Sequence, residues 1–149
     1  AKALREQNRP GLVLTFDTLP HNRAIYWNCI DDHDGPKTRR ELLKPWEDLC
    51  TDYLVFQKGD TRTQLPAVQL ERINFAFLDG AHNYNDVMFE FEQIEKKQLP
   101  GDMIVYDDYT PLQFAGLTMA VDQICEQFNY KRINLQSHAG RGYVVTVKE

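Results

Sequence analysis

Aspartates follow several of the apolar, partly β-branched runs that the sequence predicts as strands. Asp17, Asp79 and the pair Asp107-Asp108 each come directly after such a run. Ligands of an open parallel sheet bind beyond the carboxyl ends of its strands, so these aspartates are candidates for a site. Asp79, Asp107 and Asp108 offer the oxygen ligands that Mg²⁺ and other hard cations prefer. We therefore expect an open divalent-cation site there, while each aspartate could alternatively cap the helix that follows it.

A histidine lies close to these carboxylates in the sequence. His82 comes three residues after Asp79, in the turn before a predicted helix. A neutral imidazole beside a cation could accept a proton from a substrate hydroxyl, whereas a histidine in a loop can also be an ordinary solvated residue. The tract 31–34, Asp-Asp-His-Asp, resembles a metal-binding run, but it lies in a polar loop and lacks the spacing of a calcium loop. We interpret that tract as a solvated turn.

The elements that must position these residues alternate along the chain. Alternation of strands and helices predicts an α/β fold with a mostly parallel sheet and helices on both faces. The last two strands are joined by a connection of hairpin length, so they are expected to be antiparallel neighbours. We expect one domain over residues 1–149. The predicted strands are 12–16, 53–56, 73–78, 103–106, 130–135 and 143–147, and the predicted helices are 1–8, 38–49, 85–98 and 112–128.

Composition excludes several classes of protein. The 149 residues are 42% hydrophobic and 26% charged, which is typical of a globular domain rather than a disordered or fibrous one. The net charge of −5 opposes binding to nucleic acid and to anionic membranes. No apolar run approaches the ~18 residues of a membrane span. Three widely spaced cysteines fit reduced thiols, so we expect a cytoplasmic protein.

The two strand-end motifs resemble a known family. Residues 78–84 (LDGAHNY) and 104–109 (IVYDDY) are similar to the second half of class I S-adenosylmethionine-dependent methyltransferases. Within that class they are most similar to the metal-dependent O-methyltransferases of the catechol and macrocin types. The resemblance implies a Rossmann-like methyltransferase sheet. The family opens with a strand and a glycine-rich loop, and because residues 1–10 contain no glycine, we expect this sequence to be truncated at its N-terminus, without that strand and loop.

The resemblance also implies roles for individual residues. Asp79, Asp107 and Asp108 match the family's metal ligands, so the implied metal is Mg²⁺ or another divalent cation. His82 stands where the catechol enzymes have a lysine that acts as general base. The implied contacts with S-adenosylmethionine are Asp17 at the ribose and Asp60, Thr61 and Arg62 near the adenine.

The resemblance implies metal-dependent O-methylation of a small-molecule hydroxyl, with His82 and Asp79 as catalytic residues. An alternative is a catalytically inactive, methyltransferase-like binding module, either alone or as part of a homo-oligomer. A metal-dependent hydrolase is a third interpretation, because strand-end carboxylates also serve phosphoryl transfer. The sequence has neither a phosphate-binding Gly-Lys-Ser/Thr motif nor an evident nucleophile, so the hydrolase ranks last.

Overall fold

The computed structural model describes residues 1–27, 29, 32–136 and 142–149. Asp31 of the acidic tract and most of the final hairpin connection therefore lie outside the described residues. The backbone divides into two compact units, Ala1–Gln64 and Leu65–Glu149. None of the helices in the described ranges is long and apolar enough to cross a membrane.

The first unit is built around a two-stranded parallel sheet. Its Thr38 side chain accepts the N–H of Glu41, and the Glu41 carboxylate accepts the N–H of Thr38 in return, which fixes the start of a helix. Pro45 lies in the 3₁₀ turn that interrupts the predicted helix 38–49, as its missing donor favours. The elements are helices α1 (Lys2–Glu6), α2 (Arg39–Leu43), α3 (Glu47–Tyr53) and α4 (Thr61–Gln64), a 3₁₀ turn at Lys44–Trp46, and strands β1 (Val13–Asp17) and β2 (Leu54–Lys58).

Three described residues between β1 and α2, namely Trp27, Asp32 and Lys37, form hydrogen bonds with one another. Asp32 is 4% exposed, and its carboxylate accepts the backbone N–H of Trp27. The Trp27 indole donates to the carbonyl of Lys37 at 2.7 Å. The interpretation of this tract as solvated is thus wrong for Asp32, because its carboxylate is buried and accepts the Trp27 N–H in place of water. His33 and Asp34 are exposed as expected.

The second unit contains a four-stranded mixed sheet. Its strand order is β3-β4-β6-β5, in which β3 and β4 are parallel and the other two ladders are antiparallel. The closing hairpin predicted from the sequence is therefore confirmed. The elements are a 3₁₀ turn at Leu65–Ala67, helices α5 (Tyr84–Glu95) and α6 (Ala115–Gln127), and strands β3 (Phe75–Leu78), β4 (Met103–Tyr106), β5 (Tyr130–Gln136) and β6 (Gly142–Lys148).

Helices α5 and α6 bury the core of this unit. Their apolar residues recur at three- and four-residue intervals, and they pack on inward-facing residues of the sheet. The opposite face of β3 presents Phe75 and Phe77, which are 55% and 50% exposed. The core cluster contains Val87, Phe91, Ile94, Ile104, Tyr106, Leu117, Ala120, Val121, Ile124, Tyr130 and Val144.

Two element boundaries differ from the sequence prediction for reasons visible in the hydrogen bonds. Ile73 precedes β3 because its N–H donates to the carbonyl of Lys97, outside the sheet. Helix α6 begins at Ala115 rather than 112 because Thr110 starts a separate turn, in which its carbonyl accepts the N–H of Phe114 at 2.8 Å. This turn follows the Asp107-Asp108 pair and helps to hold it.

Candidate active site

The pairing of β3 with β4 brings two sequence-predicted aspartates together. Leu78, the last residue of β3, pairs with Tyr106, the last residue of β4. The residues that follow, Asp79 and Asp107, therefore leave the sheet side by side. The N–H of Asp107 still donates to the carbonyl of Leu78 at 3.0 Å, so the ladder extends into the turn that carries Asp108.

Asp79, His82 and Asp108 form a compact cluster, which we call the DHD cluster. One donor atom from each residue lies within 4.8 Å of the other two. His82 Nε2 is 3.9 Å from Asp79 Oδ1 and 3.7 Å from Asp108 Oδ2. That nitrogen is buried and has no hydrogen-bond partner among the described residues. Separations of this size are too long for hydrogen bonds but suit donors that share one cation.

The position of His82 is held by a ring contact and by the cap of the helix that follows it. Phe114 lies against it, with ring centroids 4.4 Å apart and an interplanar angle of 41°. The next residue, Asn83, caps α5 by accepting the N–H of Asp86 at 3.0 Å. Because the cap fixes the backbone and Phe114 fixes the ring, His82 cannot swing freely away from the two carboxylates.

Asp108 has a backbone conformation that residues other than glycine rarely adopt. Its φ is +55°, in the left-handed region that aspartate tolerates better than most residues. The Asp107 carboxylate accepts the N–H of Asp108 at 2.7 Å, and the Asp108 carbonyl accepts the N–H of Thr110 at 2.6 Å. The N–H of Tyr109 donates to the Gly142 carbonyl at 2.9 Å. These three hydrogen bonds hold the turn in place and so offset the cost of the unfavourable backbone conformation at Asp108.

Asp107 therefore lies in a different position from the one expected for a metal ligand. It is 4% exposed and bonds to the backbone of its neighbour, and it is outside the DHD cluster. The role of Asp107 as a ligand stays a prediction. In the cluster, the third donor beside Asp79 and Asp108 is His82.

The hydroxyl of Tyr109 anchors the same turn to the rest of the unit. It donates to Asp122 Oδ1 of α6 at 2.9 Å and accepts from Arg132 of β5 at 3.0 Å. Arg132 also forms an ion pair with Asp122. Burial and the nearby Asp122 carboxylate raise the pKa of Tyr109 to about 12, so the hydroxyl keeps its proton at neutral pH and remains a donor.

The residues predicted to contact the cofactor lie in the first unit. Asp17 ends β1, where its carboxylate accepts the N–H of Leu19 at 2.8 Å and its carbonyl accepts the N–H of Gly59 at 3.0 Å. Asp60 accepts the N–H of Arg62 through its side chain at 2.8 Å. Thr61 and Arg62 open α4 directly after this turn. The structure thus places both acidic residues at neighbouring strand ends, as the sequence predicts.

Sequence reasoning missed the residues that support the cluster. Phe114, Tyr109 and Gly142 contact the His82 ring or hold the Asp108 turn, yet the sequence pattern assigns a role to none of them. Tyr109 does follow the aspartate pair directly, and that adjacency is the one pattern that could have indicated it.

Residues 1–109 match a family described as "Methyltransferase domain". No significant match was found among curated proteins.

Solved structures resemble the chain over most of its length. A protein from Klebsiella pneumoniae assigned as an O-methyltransferase has a TM-score of 0.69 at 15% identity, with 96% of this chain and 66% of that one covered. The O-methyltransferase NovP has a TM-score of 0.66 at 17% identity, with 97% and 63% covered. A Bacillus cereus O-methyltransferase in complex with S-adenosylhomocysteine has a TM-score of 0.63 at 18% identity, with 93% and 63% covered.

The chain thus spans slightly less than two thirds of the length of these structures. The family match covers the whole of the first unit and extends through β3, α5 and β4 to the Asp107-Asp108 turn. The structural likeness extends the same fold to the rest of the chain. The chain belongs to the methyltransferase-domain family and has its Rossmann-like α/β fold.

Proposed function

We propose that this chain is part of an S-adenosylmethionine-dependent methyltransferase that methylates the hydroxyl oxygen of a small molecule, with a divalent cation at the DHD cluster. The family match and the O-methyltransferase names of the structural neighbours support the reaction class. The observation that carries the site is the buried, unbonded Nε2 of His82 facing two carboxylates.

The donors of the DHD cluster fit a cation such as Mg²⁺ or Mn²⁺. Asp79 and Asp108 supply the carboxylate oxygens that Mg²⁺ and Mn²⁺ prefer. His82 adds an imidazole nitrogen, a donor that suits transition-metal ions better than Mg²⁺. The Asp79 side chain is 50% exposed, so the cluster opens to solvent and leaves room for water or substrate. A cation bound there would supply Lewis-acid chemistry that lowers the pKa of the acceptor hydroxyl.

His82 has a second candidate role that uses the same atom. In methyl transfer, a lone pair of the acceptor oxygen forms a bond to the methyl carbon, the carbon–sulfur bond breaks, and the sulfur keeps its electron pair. The hydroxyl proton must then leave, and Nε2 of a neutral His82 can accept it. The carboxylates of Asp79 and Asp108 would stabilise the resulting imidazolium at 3.9 and 3.7 Å.

The cofactor role belongs to residues of the first unit. Acidic residues at strand ends of Rossmann-like sheets accept hydrogen bonds from ribose hydroxyls, and Asp17 is such a residue. We assign Asp60, Thr61 and Arg62 to the adenine side of the same ligand. A structural neighbour from Streptomyces achromogenes, the O-methyltransferase TomG, was solved in complex with SAM. All three cysteines are free, which fits the cytoplasmic setting that we propose.

Manganese binding tests the cation site directly. Mn²⁺ titrations followed by electron paramagnetic resonance should show one site in the chain. Asp108→Asn changes a proposed ligand, so it should weaken binding by at least the roughly 10–100-fold seen when residues that only orient a ligand are changed. Asparagine tolerates the left-handed backbone, so this variant keeps the turn. The control Glu92→Gln removes an exposed carboxylate of α5 and should leave the affinity unchanged. Equal Mn²⁺ affinity in Asp108→Asn and the unchanged chain would contradict the site.

His82→Ala separates the two roles of the imidazole. If Nε2 ligates the cation, this variant loses Mn²⁺ affinity in the same titration. If Nε2 accepts the proton, Mn²⁺ affinity persists and methyl transfer is lost.

Calorimetry with S-adenosylmethionine tests the cofactor site. The chain should bind the cofactor, and Asp17→Asn should weaken that binding by removing an acceptor for the ribose. Cofactor binding without methyl transfer to any hydroxyl acceptor would favour the inactive binding module instead.

A further inference from the structure

We propose that Gly116 and Gly142 are positioning residues that set the distance between the His82 turn and the Asp108 turn. This inference rests on the proposed function, because it concerns the cation at the DHD cluster. Each glycine lies against the backbone next to one of the two turns, at a point where a side chain does not fit. Together they fix how closely His82 and Asp108 approach each other.

Gly142 packs against the turn that carries Asp108. A Cβ at this position would overlap the carbonyl oxygen of Tyr109 and stand 3.1 Å from its carbonyl carbon. The carbonyl of Gly142 accepts the N–H of Tyr109 at 2.9 Å, so strand β6 and the turn are in direct backbone contact. The Tyr109 oxygen would have to retreat by about 1.3 Å to reach an ordinary van der Waals separation.

Gly116 packs against the backbone that follows His82. A Cβ here would stand 2.8 Å from the backbone nitrogen of Tyr84 and 3.2 Å from the Cα of Asn83. These are backbone atoms at the start of α5, so they cannot rotate away as a flexible side chain could. Gly116 also belongs to the first turn of α6, two residues after Phe114, whose ring contacts His82. The required displacement is about half an ångström, smaller than at Gly142.

Displacements of this size matter at a metal site. Metal–ligand distances vary by only about 0.2 Å around their preferred values. Asp108 has little freedom to compensate, because its φ of +55° is held by bonds on both sides. A shift of the Tyr109 carbonyl reaches Asp108 through the Tyr109 Cα and the Asp108–Tyr109 peptide bond. A shift of the Asn83 Cα reaches His82 through the His82–Asn83 peptide bond.

Alanine substitutions test this role through Mn²⁺ affinity, with no dependence on turnover. Gly142→Ala should weaken Mn²⁺ binding by about 10–100-fold, the range seen when residues that orient metal ligands are changed. Gly116→Ala should weaken it less, by about 3–10-fold, in keeping with its smaller displacement. Gly11→Ala is the matched control, since its Cβ would meet only the flexible Leu4 side chain, at 3.2 Å, and should leave the affinity unchanged.

Folding and positioning are separated by measuring each variant at a temperature where circular dichroism shows it fully folded. A purely structural role lowers the unfolding midpoint and leaves the Mn²⁺ affinity of the folded chain unchanged. If Gly142→Ala does not fold, the test rests on Gly116→Ala. That variant is expected to fold because position 116 lies in a helix, where alanine is more favourable than glycine. Unchanged affinity in the folded glycine variants overturns the positioning role. Absence of Mn²⁺ binding in the unsubstituted chain overturns the cation proposal and this inference with it.

Discussion

Asp102→Asn tests how β3 and β4 are held at their amino ends, opposite the ends that carry Asp79 and Asp108. Asp102 is 3% exposed and precedes β4, and its carboxylate accepts four hydrogen bonds. Oδ1 accepts from Arg72 Nη2 at 2.9 Å and Asn74 Nδ2 at 3.1 Å. Oδ2 accepts from Arg72 Nε at 3.0 Å and the N–H of Leu99 at 2.7 Å. The carboxylate thus joins the segments that lead into β3 and β4.

The loss of stability expected for Asp102→Asn follows from the four hydrogen bonds that the carboxylate accepts. Asparagine presents an amide NH₂ where one carboxylate oxygen was, so that group faces two donors and two hydrogen bonds are lost. A bond to a charged group contributes about 1.5–3 kcal/mol to stability. Arg72 is 46% exposed and can be rehydrated, so the expected loss is about 2–3 kcal/mol in the free energy of unfolding. For a chain of this length that corresponds to about 5–10 °C in the melting temperature.

The stability that Asp102→Asn removes should depend on pH, and the pKa of Asp102 gives the direction of that dependence. The hydrogen bonds from Arg72 hold the pKa of Asp102 below its ordinary value, against the opposing effect of burial, and bonds from Leu99 and Asn74 add to the lowering. A lowered pKa in the folded state stabilises the protein above the ordinary pKa of about 4, and this stabilisation is lost as the pH falls through the folded pKa. The difference between the unsubstituted chain and Asp102→Asn should be constant from pH 7 to 5 and shrink below about pH 4.

Urea denaturation between pH 7 and pH 3 provides the measurement. The control Glu92→Gln removes a carboxylate that is exposed on α5 and should change the midpoint little at any pH. The reasoning is refuted if Asp102→Asn costs less than about 0.5 kcal/mol at pH 7. A difference that stays constant down to pH 3 would refute the pKa argument.

Three further substitutions test the packing and the turns. Ile124→Ala empties a fully buried position of α6 and should cost about 2–5 kcal/mol in urea denaturation, so a cost near zero would show that the core is not packed as described. Thr38→Ala removes the side-chain cap of α2 and should cost about 1 kcal/mol, which Thr38→Ser should largely restore. Tyr109→Phe removes the hydroxyl that donates to Asp122 and should cost about 1 kcal/mol, and an unchanged melting temperature would contradict that anchor.

The sequence by itself determined the order and type of the main elements. Strands β1, β3 and β4 are short apolar runs between turn residues, and α5 and α6 carry apolar residues at helical spacing, so local periodicity is sufficient to recognise them. The placement of Asp17, Asp79 and Asp108 at strand ends follows from the same local pattern. That a residue lies at the end of a strand can be predicted without knowing which strands pair.

Tertiary structure decided which of these residues meet. Pairing of β3 with β4 brings Asp79 and Asp108 to one edge, while the left-handed backbone at Asp108 separates its carboxylate from that of Asp107. A spacing pattern cannot distinguish two adjacent aspartates, because their difference lies in a backbone angle and in the bond that Asp107 makes to its neighbour.

The contributions of Gly116 and Gly142 also depend on tertiary structure. In the sequence they are ordinary glycines of a predicted helix and a predicted turn. Their importance comes from backbone that packs against them from distant parts of the chain, the start of α5 in one case and the Asp108 turn in the other. Local sequence determines secondary structure through side-chain pattern, whereas close approach between backbones is set only when the whole unit packs.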